Sequence, residues 1–225
     1  MSRCTDLDPE LHDVLDAITR AGTSKHGFAR TTVAAVAGVV LLARRNILGW
    51  PLGIVWAAIS AWLAWTEWQL VSDAILYASY IPLQIGCWIW WWRAPSRDHT
   101  HIQPRPWMPR RVWLWITSSA AVAVTTWAAA IHFLSQRAEW TPEPDLLWRD
   151  SASTVLNYFA QFLQGARRME CWVLWLAVNL LGIHIYSVKG LPVYAVQYAF
   201  FLALGLYGWW SWQRAIRDDS LDQEA

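Results

Sequence analysis

Three residues in the stretch ECWVLWLAVNLL, residues 170–181, define the chemistry this chain has to offer: Trp172, Trp175 and Asn179. Their spacing of i, i+3 and i+7 puts them on one face of a helix. An indole face attracts cations, and a carboxamide carries both a donor and an acceptor for hydroxyls. The set suits the holding of a neutral or cationic ring compound that bears hydroxyls, not the breaking of bonds. An amide in hydrocarbon costs free energy unless it finds a partner, so Asn179 is expected to face protein or a watery cavity. The alternative is structural, with Asn179 joining two helices by a hydrogen bond and the indoles belonging to an interfacial belt. Glu170 stands at the entrance of the same stretch.

Other polar groups fall inside apolar runs in the same way. Asn157 and Gln161 share one run, Tyr194, Gln197 and Tyr198 another, Asp73 and Gln84 a third, and His184 follows Asn179. Asp73 also fits a helix cap, and His184 fits a hydrogen-bonded packing residue. A proton pump needs a chain of acids or histidines across the bilayer, and only Asp73 and His184 are candidates for one. The sequence has no H-E-x-x-H, no G-x-S-x-G and no phosphate-cradling glycine loop, so an enzyme is not expected. The HTH at 99–101 has two histidines without a third ligand or helical spacing, so neither a metal nor a cofactor is expected.

The elements that would position these groups follow from composition. Of 225 residues 56% are hydrophobic and 20 are Trp, far from an ordinary globular chain. The mean hydropathy of +0.20 understates this, because that scale counts Trp and Tyr as mildly polar although both rings favour the bilayer interface. A spanning helix needs about 20 mostly apolar residues, and runs at 28–44, 47–65, 70–92, 112–134, 151–167, 171–188 and 191–212 qualify, which makes seven. The fold class is therefore an all-α integral membrane protein in a lipid bilayer. Eighteen basic residues nearly balance 17 acidic ones, which does not suggest a nucleic-acid partner. Cys4, Cys87 and Cys171 are too scattered for a disulfide framework and read as small buried hydrophobes. Residues 1–27 lack the apolar core of a signal peptide. They read as an amphipathic surface helix, with Asp8 and Pro9 at its start and Leu11, Leu15 and Ile18 as its stripe.

Arginines give an orientation. In a seven-span chain one side collects Arg44, Arg45, Arg93, Arg97, Arg105, Arg110, Arg111, Arg167, Arg168, Arg214 and Arg217, whereas the opposite connections carry only Arg137, Arg149 and Lys189. By the positive-inside rule the N-terminus is expected outside and the C-terminus in the cytoplasm. The tryptophans of CWIWWWR and YGWWSWQR then read as belts beside anchoring arginines.

The chain also matches itself at an offset of 122 residues. Trp50 falls on Trp172, Gly86 on Gly208, Trp88 on Trp210 and Trp90 on Trp212, and LLARRN lands within one residue of QGARRM. Each matching part holds three spans. With a single span between them both triplets run the same way, as two parallel repeats joined by a linker helix (3+1+3), with a substrate site expected at their interface. The expected divisions are a surface helix (1–27), a first repeat (28–92), a cytoplasmic loop and linker helix (93–134), an outer loop and second repeat (135–212) and a cytoplasmic tail (213–225). Trp50, as the counterpart of Trp172, joins the candidate binding residues Trp172, Trp175, Asn179, Gln161, Tyr198, Gln197 and Asp73.

The motifs ARRNILGWPLGI, LVSDAIL and GCWIWWW, then QFLQGARRMECWVLWLAVN, YSVKGL and YGWWSW, resemble the PnuC family of vitamin-uptake transporters over about residues 30–215. The resemblance implies a seven-helix homotrimer that moves nicotinamide riboside, thiamine or riboflavin by facilitated diffusion, with a cytoplasmic kinase trapping the vitamin. It places Trp172, Trp175 and Asn179 in a W-x-x-W-x-x-x-[ND] site motif, with Gln161 and Tyr198 as companions. Nicotinamide riboside, whose pyridinium suits an indole cage, is the expected substrate. Tyr77 stands where the nicotinamide riboside branch has a Gln, and the many tryptophans leave room for a larger flat ring such as a flavin.

Overall fold

The computed structural model describes residues 35–66, 71–94, 102–137, 147–190 and 192–224. The expected surface helix of residues 1–27, the start of the first span, Cys4 and the HTH histidines lie outside the described residues. Seven helices run through the described chain: α1 (35–43), α2 (Gly49–Thr66), α3 (Val71–Trp92), α4 (Arg110–Arg137), α5 (Leu147–Gly165), α6 (Glu170–Val188) and α7 (Pro192–Glu224). At 1.5 Å per residue, the 18 to 33 residues of α2 to α7 give lengths of about 27 to 50 Å, against about 30 Å of hydrocarbon. The longest, α7, continues to Glu224, so most of the stretch read as a tail after residue 212 is helical.

Large apolar side chains lie outside as well as inside. The helix α4 buries only Ala120 and Ala128 and exposes Leu114, Trp115, Val122 and Phe133, a surface that hydrocarbon accepts and water does not. Among the described residues the interior holds four fully buried indoles, Trp50, Trp91, Trp172 and Trp212.

Two turns organise this interior. After α1 the amides of Arg45 and Asn46 bond back to Leu42 O and Leu41 O; after α5 those of Arg167 and Arg168 bond back to Gln164 O and Leu163 O. Each is a Schellman closure of a helix C-terminus, with the left-handed position taken by arginine where glycine is usual: φ is 65° at Arg45 and 62° at Arg167. The next helix starts in the same manner on both sides, Trp50 N bonding Ile47 O and Trp172 N bonding Met169 O. All these bonds recur at the 122-residue offset. Burial pushes both guanidiniums below their ordinary pKa, with Asp218 opposing this at Arg45 and the neighbouring Arg105 and Arg168 adding to it at Arg167.

One extended segment ties the two turns together. Ile102 N donates to Arg45 O at 3.0 Å and Arg105 N to Arg167 O at 2.8 Å, and three residues reach no more than about 10 Å. The C-terminal ends of α1 and α5 therefore lie on the same face of the bundle. The segment is held further by Gln103, which accepts from Arg45 Nη1 and donates to Ala215 O, and by Met108, whose amide donates to the fully buried Glu170 carboxylate.

The third helices are related with a slip. Trp50 meets Trp91 edge to face at 5.3 Å and 88°, and Trp172 meets Trp212 at 5.4 Å and 88°. The counterpart of Trp212 is thus Trp91, not Trp90 as the unbroken offset suggests: Trp91 is 1% exposed and Trp90 40%. Burial decides which of three adjacent tryptophans faces inward. It also corrects the reading of both Trp clusters as belts alone, since Trp91 and Trp212 belong to the core.

Candidate functional site

The helices α5 and α6 form an antiparallel hairpin closed by the Arg167 turn, and the Lys189–Asp150 ion pair at 3.4 Å joins their far ends. Residues earlier on α5 and later on α6 therefore rise together from that turn. Nearest the turn, Trp172 is fully buried against Trp212 and Gly208, where a Cβ would collide with its ring. This indole, like Trp50, lies in the packed core in this structure, and neither finds a partner for its Nε1 among the described residues.

The polar column begins with Trp175, which is half-buried and donates its indole N–H to the side-chain oxygen of the buried Gln164 at 3.1 Å. One turn further from the closing turn stand Gln161 on α5 and Asn179 on α6, both buried. No hydrogen bond of either side-chain amide is found among the described residues. About one turn beyond Asn179, Gly182 provides the seat for Tyr198 of α7, because a Cβ there would run into the tyrosine ring. Tyr198 in turn stacks on Tyr186 at 5.3 Å and 20°, and Tyr194 also stacks on Tyr186, at 5.2 Å and 24°.

The stripe Trp172, Trp175, Asn179, Gly182 and Tyr186 thus lies along one face of α6, passing from packed core through an indole and an amide to stacked phenols. The structure gathers Trp175, Gln161, Asn179 and Tyr198 along it. Gln197 is half-buried next to Tyr198, rotated by about 100° on the helix. Asp73 lies in the first turn of α3, and its side chain is outside the described atoms. His184 is exposed rather than packed, and Asn157 bonds back to Ser153 O on its own helix. Among the described residues no group of His, Cys, Asp and Glu is placed to hold a metal.

Sequence reasoning missed Gln164, although it sits three residues after Gln161 and so close to its face. It also missed the contact of Tyr158 on α5 with Ser79 and Tyr80 on α3, where those two helices meet.

An apolar outside and an inner column of amides and aromatic rings define a polytopic membrane transporter. The chain belongs to the nicotinamide mononucleotide transporter family, whose model matches residues 29–214; this is the PnuC family, a family of transporters, not of enzymes. The chain is 24% identical over 204 residues to the nicotinamide riboside transporter PnuC of Neisseria mucosa, covering 84% of this chain and 73% of that one. It is 24% identical over 181 residues to the PnuC of Haemophilus influenzae, with 80% and 75% covered. It is 25% identical over 192 residues to the riboflavin/roseoflavin transporter RibM of Streptomyces davaonensis, with 82% and 84% covered. The crystal structure of the vitamin B3 transporter PnuC shares the fold, with a TM-score of 0.67 over 91% of this chain and 88% of that one at 21% identity.

Proposed function

We propose that this chain takes up nicotinamide riboside by facilitated diffusion through the Trp175–Asn179 column, with phosphorylation inside the cell trapping the vitamin. The observation that carries this reading is a buried carboxamide, Asn179, set one turn from an indole whose edge is already held. A flat, positively charged ring stacks on the indole face, and ribose hydroxyls satisfy Asn179 and Gln161. Two relatives of similar coverage are nicotinamide riboside transporters by name. Passive movement fits the chemistry of the column, whose buried polar groups are amides, not ionisable side chains.

In this reading the architecture is 3+1+3: α1–α3 and α5–α7 are parallel repeats, α4 is the linker, and the arginine turns face the cytoplasm with the N-terminus outside. The matching turns and their common tie through residues 102–105 support it. Trp172, Trp50, Gln197 and Asp73 complete the candidate site as the carrier rearranges, and the working assembly is a homotrimer.

A second reading, riboflavin, is favoured by the likeness to RibM and by the Trp56–Tyr77 edge-to-face pair at 5.5 Å, which offers a ring where the nicotinamide riboside branch has an amide. Thermal-shift measurements on purified protein with nicotinamide riboside, thiamine and riboflavin separate the candidates, since a ligand bound only by the native form raises the melting point. Labelled-vitamin uptake that persists when the proton gradient is collapsed supports passive movement; a large fall in the initial rate overturns it. Trp175→Ala and Asn179→Leu should each abolish most uptake with membrane insertion intact, and normal uptake in both removes this site.

A further inference from the structure

We infer that Gln164 is the positioning residue for Trp175, its side-chain oxygen fixing the plane in which that indole presents its face to the substrate. The inference rests on Trp175 lining the site, as proposed above.

The backbone of Gln164 is held from two directions. Its carbonyl accepts the Arg167 amide at 3.0 Å in the Schellman turn and the Trp91 indole N–H at 3.3 Å from α3. A side chain issuing from so constrained a backbone delivers its oxygen to a fixed point, and Trp175 Nε1 meets it there at 3.1 Å. An indole turns about two side-chain torsions, and a single bond at its N–H edge selects one setting.

The internal repeat separates the structural task of this position from its side-chain task. Leu42 is the counterpart of Gln164, and its carbonyl accepts the Arg45 amide at 2.9 Å and the Trp212 indole at 3.1 Å. The turn and the cross-contact are thus made equally well by leucine. The counterpart of Trp175 is Gly53, with no indole to orient. Glutamine appears only where an indole needs an acceptor, so the amide of Gln164 serves Trp175 and not the fold.

The test is a double-substitution cycle on the purified full chain, reading the dissociation constants of nicotinamide riboside and, in parallel, riboflavin by calorimetry. Gln164→Leu installs the residue the chain already uses at position 42, so its melting point without ligand should stay close to that of the parent. Its affinity should fall about tenfold, as expected for an indole released from one buried bond. In a Trp175→Phe background, which has no N–H to hold, the same substitution should change affinity less than twofold. Gln164→Glu, which keeps an acceptor oxygen, should retain most of the affinity. Equal losses in both backgrounds, or no loss in either, overturn the positioning role. Unchanged affinity in Trp175→Ala instead removes the site reading itself, while loss there with additive Gln164 effects removes only this inference.

Discussion

Trp91 and Trp212 exchange the same hydrogen bond across the molecule. Trp91 Nε1 donates to the end of α5, at Gln164 O (3.3 Å) and Gly165 O (2.9 Å), and Trp212 Nε1 donates to the end of α1, at Leu42 O (3.1 Å). Each third-helix indole thereby satisfies carbonyls that a helix C-terminus leaves without an intrahelical partner. Reciprocal contact of this kind is what the proposed pair of like three-helix repeats requires.

Trp91→Phe and Trp212→Phe should therefore behave alike. Each removes one buried N–H donor and part of a ring that is almost wholly enclosed, at a cost of about 2 kcal/mol. Thermal melting in detergent should show similar falls of several degrees for both, and a larger fall for the pair. A variant at the neighbouring exposed Trp90 should leave the melting point near its parent value.

Gly86 and Gly208 look equivalent in the sequence and should prove unequal. A Cβ on Gly208 collides with the Trp172 ring, whereas one on Gly86 meets nothing within 4 Å. Gly208→Ala should cost about 1 to 3 kcal/mol by overpacking and reduce the yield of folded protein, and Gly86→Ala should be silent. Size-exclusion profiles and melting curves of the two variants decide it.

The slip that separates these glycines marks the limit of what the sequence disclosed. Apolar run length was enough to locate the seven helices, and the paired Arg-Arg signal pointed to the two matching turns, because both are properties of composition along the chain. Which of Trp90, Trp91 and Trp92 faces inward was not legible, since three identical neighbours carry no periodicity. The Schellman turns were also hidden, as arginine occupies the position where glycine would have announced them. Trp175, Asn179, Gln161 and Tyr198 could be singled out as candidates because polar groups in apolar runs stand out. Gln164 escaped because its role appears only when α6 brings an indole N–H to it.

Gly182 gives a handle on the end of the column farthest from the Arg167 turn. Gly182→Ala should push Tyr198 from its seat and loosen its stack on Tyr186, weakening binding and uptake about tenfold while the protein still inserts. The control is Gly205→Ala, whose Cβ would approach only the end of the flexible Leu176 side chain at 3.2 Å, and which should transport normally. Equal behaviour of the two variants would mean that Tyr198 plays no part in the route.

Glu170 is the last test, because it holds the connecting segment against the bundle. It is 0% exposed, accepts the Met108 amide through Oε1 and has no partner for Oε2 among the described residues. A buried acid in that state is costly unless the contact it makes is needed. Glu170→Gln keeps a carbonyl oxygen for Met108 and should preserve the segment. Glu170→Ala strands the Met108 amide, and residues 102–108 should then lift from the arginine turns at Arg45 and Arg167. Limited chymotrypsin digestion reads this directly: cleavage after Trp107, which is followed by Met108, mapped by mass spectrometry, should speed up at least several-fold in Glu170→Ala and remain slow in Glu170→Gln. Equal cleavage rates in the two variants would show that the bonds from Ile102, Gln103 and Arg105 hold the segment without the acid.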